Sequence, residues 1–134
     1  MRTAADIQQL FAPMLPGLLG IVFREVTQER VVATLQVRPE LCTTGGILHG
    51  GSIMAFADTL GAVGTSMNLK DGQGTTTVES STKFLAAAQV GTTVTAECTA
   101  FHRGRTTMVW QTLVKAESGK LCAVVTQTQL VLTR

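Results

Sequence analysis

Apolar residues recur at helical spacing near the start of the chain. Ile7, Leu10, Phe11 and Met14 fall on one side of a 3.6-residue spiral and predict a helix over residues 4–14, stopped by Pro16-Gly17. The period then shortens to two. Val31, Ala33, Leu35 and Val37 alternate with Val32, Thr34, Gln36 and Arg38, the pattern of a half-buried strand over residues 30–38. A β-rich stretch over residues 20–27 precedes it, and a break near Gln28-Glu29 makes the two a hairpin. Residues 39–46 show no period.

From residue 51 to 69 the side chains are small or apolar nearly all round, with Asp58 the one charge. That predicts a central helix buried on all sides. Its interior glycines, Gly61 and Gly64, cost about 1 kcal/mol each relative to alanine, so close packing against a sheet or another helix is expected there. The remainder reads as four strands, over residues 75–84, 92–102, 106–116 and 120–132. They are separated at residues 86–91, at Arg103-Gly104-Arg105 and at Glu117-Ser118-Gly119. Short breaks imply antiparallel neighbours. The order predicts an α+β fold in which an antiparallel sheet wraps one long central helix, with a short N-terminal helix, as a single domain over residues 1–134.

Composition changes this picture in one respect. Only 15% of the 134 residues are charged and 45% are hydrophobic, against roughly 25% charged in an average soluble domain. Such a chain is not disordered. Eleven basic residues nearly cancel nine acidic ones, for a net charge of +2, which argues against an electrostatic nucleic-acid binder. Either part of the surface is hidden in an oligomer, or uncharged Thr, Ser and Gln solvate it. The apolar run over residues 10–23 does not read as a signal peptide. Asp6 and two glutamines precede it, Pro13 and Pro16 break it, and no small-residue cleavage site ends it. No uninterrupted run of about 20 apolar residues is present, so no membrane span is expected. Cys42, Cys98 and Cys122 are odd in number with no CxxC spacing. They read as buried hydrophobes, neither a disulfide framework nor a zinc site, and fit the cytoplasm.

The candidate chemistry lies where the irregular segment meets the central helix, in Thr43-Thr44-Gly45-Gly46-Ile47-Leu48-His49-Gly50-Gly51. The first amides of a helix have no partners inside it, and its dipole adds about half a positive charge there. Gly50 and Gly51 keep side chains away from those amides, which makes an oxyanion hole plausible. Asp58 is costly in an apolar helix unless solvated or paired. Either a cleft opens onto it, or it is a buried carboxylate bonded to Thr59 or to a strand. His49 equally suits a bond to a loop carbonyl at the helix start. His49 and Asp58 lie nine residues apart, about 13–14 Å along a helix and about 180° around it. They cannot grip one substrate atom from within one chain, so cooperation between them requires a second copy. Gly72-Gln73-Gly74 lacks a dinucleotide fingerprint, and no serine stands in a GxSxG context.

His49-Gly50-Gly51, followed by Ala57-Asp58 and Gly61 on a hydrophobic helix, resembles the hotdog-fold acyl-CoA thioesterases of the phenylacetate-pathway and 4-hydroxybenzoyl-CoA type. Leu19-Gly20-Ile21 resembles the start of that family's first strand, residues 78–85 its strand after the helix, and His102-Arg103-Gly104-Arg105 its basic turn. The resemblance covers about residues 15–132. It implies hydrolysis of acyl- or aryl-CoA thioesters. Asp58 is then nucleophile or general base, the Gly50 amide polarises the carbonyl, and His49 orients the thioester beside Gly51. The acid comes from the neighbouring subunit of a homodimer or dimer of dimers. CoA enters only as part of the substrate, and no metal, redox cofactor, nucleic acid or membrane is implied.

Two positions depart from the family. Thr43 stands where Asn or Gln is frequent, six residues before the histidine, and Ala86-Ala87 replaces a frequent Arg-Pro. Contacts to CoA then fall on Arg103, Arg105 and Lys83, with Ser81 and Ala62 as further substrate contacts. Without the family match, the two arginines read as a solvated turn. The apolar segment over residues 10–23 is expected to line part of the acyl pocket. A non-catalytic acyl-CoA or aromatic-ligand binding module on the same fold is the alternative. An enoyl-CoA hydratase fits the separation of His49 and Asp58 poorly.

Overall fold

Thr3 opens the first helix. Its hydroxyl accepts from the Asp6 amide at 3.2 Å, and the Asp6 carboxylate accepts from the Thr3 amide at 2.8 Å, a reciprocal cap that satisfies two otherwise orphaned donors. The computed structural model describes residues 2–133. Helix α1 (Ala4–Phe11) ends three residues sooner than its apolar spacing predicts. Pro16-Gly17, expected to stop it, lies inside a second short helix, α2 (Leu15–Leu19). Proline is well suited to the first turn of a helix, where its missing amide costs nothing. Gly17 lets the two helices meet closely, since a Cβ there would lie 2.2 Å from the Ala12 carbonyl oxygen.

Strands β1 (Val22–Val26) and β2 (Arg30–Gln36) form the expected antiparallel hairpin. A 3₁₀ turn (Pro39–Leu41) leads to a two-residue ribbon, β3 (Cys42–Thr43) against β4 (Ile47–Leu48). Gly45 and Gly46 turn it with φ of 86° and 69°, a region that disfavours other residues. The central helix α3 (Gly50–Ser66) follows, then β5 (Gln73–Phe84), β6 (Thr93–Arg103), β7 (Thr107–Lys115) and β8 (Leu121–Thr133). The strands form one six-stranded sheet in the order β1-β2-β6-β7-β8-β5, antiparallel at each pairing.

One expectation is corrected by that order. The short break at residues 86–91 suggests that β5 and β6 are neighbours, but β7 and β8 lie between them. The eight residues from Leu85 to Thr92 reach about 26 Å when extended, and three strand spacings are about 14 Å. The connection therefore crosses the end of the sheet without a helix. It is held there by Leu85 N–H donating to the Cys122 carbonyl at 2.8 Å, Leu48 N–H to that of Ala88 at 2.9 Å, and Val90 N–H to that of Gly46 at 2.8 Å.

The sheet curls around α3. The two interior glycines of the helix mark where strand side chains press deepest. A Cβ on Gly61 would lie 2.2 Å from Gln127 of β8, and one on Gly64 would lie 2.7 Å from the Trp110 ring of β7. The buried Trp110 indole donates to Thr65 Oγ1 at 2.9 Å. Ile53, Phe56, Leu60 and Val63 face the same core, where each fully buried side chain contributes about 1.5–3 kcal/mol. The helix is not buried on all sides, however. Met54 is 41% exposed, and Asp58 and Ala62 are half-buried, so a stripe of α3 stays open. Cys98 is buried, and burial pushes its thiol up to about 12. Among the described residues, no helix is long and apolar enough to cross a membrane.

Candidate active site

The start of α3 is built around His49. Its backbone is extended and its amide donates to the Leu41 carbonyl at 2.9 Å, which fixes the ribbon against the helix. Its imidazole Nδ1 accepts from the Gly51 amide at 2.7 Å. An imidazole accepting at Nδ1 carries its proton, when neutral, on Nε2, so His49 presents an N–H outward. The expectation of two open amides is thereby corrected. Gly51 is used by the cap, as helix ends demand, whereas nothing among the described residues accepts from the Gly50 amide. The two donors left at this end are Gly50 N–H and His49 Nε2–H. The Phe84 ring stands over Gly50, where a Cβ would lie 3.2 Å away.

Gly50 opens onto an apolar cleft of about 310 Å³, whose walls include Thr43, Ile47, Leu48, Ile53, Phe84 and Leu85. Thr43 and Gly50 thus border the same cleft. Asp58 opens onto a different cleft of about 320 Å³, with Met54, Ala55, Thr77 and Ser80. The two clefts have no residue in common. Within one chain His49 and Asp58 remain apart on one unbroken helix.

Asp58 is solvated on one side and paired on the other. Thr77 Oγ1 donates to its Oδ1 at 2.6 Å, and Gln127 Nε2 donates to the same oxygen at 3.2 Å and to the Asp58 backbone carbonyl at 3.3 Å. The expected partner Thr59 is occupied elsewhere, its hydroxyl donating to the Ala55 carbonyl at 2.7 Å. Behind Thr77, Gln129 Nε2 donates to Thr77 Oγ1 at 2.6 Å, and Thr75 Oγ1 donates toward Gln129 Oε1 at 3.0 Å. Among the described residues nothing donates to Asp58 Oδ2. Thr77, Gln127 and Gln129 escape a search for motifs. The signal available is two glutamines at the inward phase of β8, where Ala123 and Val125 also point.

The remaining candidates are scattered in a single chain. Arg103 and Arg105 line a cleft of about 420 Å³ with Asn68 and Lys70, beyond the C-terminal end of α3 and away from His49. Arg103 donates to Asn68 Oδ1 at 3.3 Å. Lys83 and Ser81 are exposed on β5, on the face opposite Thr82, and Ala62 lies one turn beyond Asp58 on the open stripe of α3. The apolar segment over residues 10–23 does not line either cleft. Met14, Leu15 and Leu18 border a surface hollow of their own, and Leu18 is 71% exposed.

Residues 45–123, which hold His49, Gly50, Asp58 and Thr77, match the thioesterase superfamily. The chain belongs to that family. A crystal structure of a thioesterase from Haemophilus influenzae superposes with a TM-score of 0.93 at 29% identity, over 99% of this chain and 92% of that one. The proofreading thioesterase EntH of Cronobacter sakazakii is 32% identical over 78% of this chain and 75% of its own. A 1,4-dihydroxy-2-naphthoyl-CoA hydrolase of Listeria monocytogenes is 28% identical over 79% of this chain and 85% of its own. This thioesterase-superfamily chain has the hotdog architecture, a long helix wrapped by an antiparallel sheet, and is a thioester hydrolase.

Proposed function

We propose that the chain hydrolyses an acyl- or aryl-CoA thioester to the free acid and CoA, in a site shared by two subunits. The observation that carries this reading is the division of one set of catalytic parts between two clefts. Gly50 N–H is a free donor at one cleft, with His49 Nε2–H free beside it at the helix start, and a carboxylate with one free oxygen lies in the other cleft. Helix α3 and strand β5 run antiparallel, with Gly50 beside Phe84 and Asp58 bonded to Thr77. The outer edge of β5 carries no strand among the described residues. A two-fold axis near the middle of that edge would set one subunit's Asp58 against the partner's helix start, and would cover an edge that otherwise invites aggregation. The product is a homodimer, or a dimer of dimers.

In the shared site the thioester oxygen lies between Gly50 N–H and His49 Nε2–H, which stabilise the charge it gains. One such donor is worth about 10²–10³ in rate. Asp58 Oδ2 takes a proton from water as the water oxygen attacks the carbonyl carbon, a step in which a positioned base is worth roughly 10²–10⁴. Collapse of the tetrahedral intermediate breaks the carbon–sulfur bond, and CoA leaves as the thiolate. In the alternative step Oδ2 itself attacks the carbonyl carbon, the carbon–sulfur bond breaks and CoA leaves as the thiolate, and water then hydrolyses the resulting anhydride to the free acid and the Asp58 carboxylate. The apolar walls around Gly50 suit an aromatic or aliphatic acyl portion, and the name of the Listeria relative favours aryl-CoA among these. Arg103, Arg105 and Lys70 lie beyond Asp58 on the same chain and suit the CoA phosphates.

The test is CoA release from a panel of aryl- and acyl-CoA esters, followed with a thiol reagent. Turnover of at least one ester is expected. Binding across the panel without release of thiol would replace hydrolysis by a ligand-binding module.

A further inference from the structure

Among the described residues four polar side chains are fully buried, and two of them, Gln127 and Gln129, are neighbours on the inward face of β8. A glutamine there is an uneconomical way to fill space. Gln127 requires Gly61 in the facing helix, because any Cβ would strike its amide at 2.2–2.4 Å. Its Oε1 is buried without a partner among the described residues, a loss that apolar neighbours such as Val125 avoid. The geometry of Asp58 is what these features maintain.

We propose that Thr77 and Gln127 are positioning residues that commit Asp58 to react through Oδ2, and that Gln129 sets the direction of the Thr77 hydroxyl. The proposal rests on the reading of Asp58 as the reacting group. Two donors, from β5 and β8, converge on Oδ1 at 2.6 and 3.2 Å. A carboxylate with one donor can turn over about its terminal torsion and exchange its oxygens, which that broad two-fold torsion permits. Two donors on one oxygen, with Gln127 also anchored to the Asp58 backbone carbonyl, remove that freedom. The Thr77 hydroxyl has a single proton. Gln129 Nε2 donates to its oxygen at 2.6 Å, so the proton is left for Asp58. Oδ2 alone then faces the cleft.

The experiment measures kcat and KM for Thr77→Val, Thr77→Ser and Gln127→Met beside Asp58→Ala, on the best ester of the panel, with thermal denaturation of each. Thr77→Val keeps the shape and deletes the donor. Its kcat is expected to fall about 10–100-fold, the scale of a misplaced catalytic group, while KM changes by less than about twofold. Thr77→Ser restores the donor and most of kcat. Gln127→Met removes the unpaired acceptor together with the donor, so kcat falls while the melting temperature holds or rises. A Thr77→Val enzyme with wild-type kcat, beside an inactive Asp58→Ala, would overturn the positioning role alone. An active Asp58→Ala would overturn both it and the reading beneath it.

Discussion

Gly61 and Gly64 stand one turn apart in α3 and differ in what a methyl group would meet, so alanine at each separates packing from catalysis. Either substitution gains about 1 kcal/mol of helix propensity. At Gly64 the new Cβ lies 2.7 Å from the Trp110 ring. The ring must retreat about 0.8 Å to reach ordinary contact near 3.5 Å, and overpacking of that kind costs about 1–3 kcal/mol. The net loss for Gly64→Ala is about 0–2 kcal/mol, with kcat unchanged. At Gly61 the Cβ lies 2.2 Å from Gln127 Cδ, so the amide must move about 1.3 Å. Its bonds to Asp58, already 3.2 and 3.3 Å, do not survive that movement. Lost bonds to a buried donor add about 1–3 kcal/mol, and Gly61→Ala therefore loses more stability than Gly64→Ala and loses kcat as well. Urea denaturation gives the stabilities and CoA release gives the rates. Gly61→Ala with wild-type kcat, or Gly64→Ala stabilised by the full helix-propensity gain, would refute the packing argument.

Two further outcomes are expected. Gly50 is the first residue of α3 and His49 before it is extended, with φ −63° and ψ 139°. The backbone at position 50 accepts proline, with the exposed Phe84 ring giving by a few tenths of an ångström where a Cβ would lie 3.2 Å from it, and Gly50→Pro deletes the free amide at a cost of about 10²–10³ in kcat. Co-expressed with Asp58→Ala, it should regain roughly a quarter of wild-type turnover, the statistical share of intact sites in mixed dimers; no recovery would contradict a shared site. Native protein should react with a thiol reagent at pH 8 through Cys42 alone, because burial pushes the thiols of Cys98, to about 12, and Cys122 up. The thiolate is the reactive form and accumulates only as pH rises through the thiol's own value, so three thiols per chain should appear only on denaturation. More than one fast thiol in the native chain would contradict that burial.

The sequence pattern locates every element of the sheet to within about two residues, because strand alternation and turn residues are local signals. It also separates His49 from Asp58 correctly, since helical rise is a property of spacing alone. What it does not reveal is non-local. The neighbour of β5 is β8 because an extended eight-residue connection can cross the sheet end, which no local pattern encodes. Pro16-Gly17 reads as a stop but begins a helix, because the same residues serve both ends of a turn. Gly51 reads as an open donor until His49 is seen folding back on it. Thr77 and Gln127 come from strands 50 residues apart in sequence, and only the folded chain brings them to Asp58, with Gln129 behind Thr77. The low charge content reads as a sign of hidden surface, and the proposed dimer would hide the open stripe of α3 and the uncovered edge of β5.

In the proposed reaction Asp58 carries the hydrolysis of a CoA thioester. The most direct measurement is CoA release by Asp58→Asn beside the wild-type protein on the best ester of the panel. Asparagine keeps the shape and the bonds to Thr77 and Gln127, and removes only the carboxylate. A fall in kcat of roughly 10²–10⁴ with the fold intact is predicted, and undiminished turnover would contradict the account.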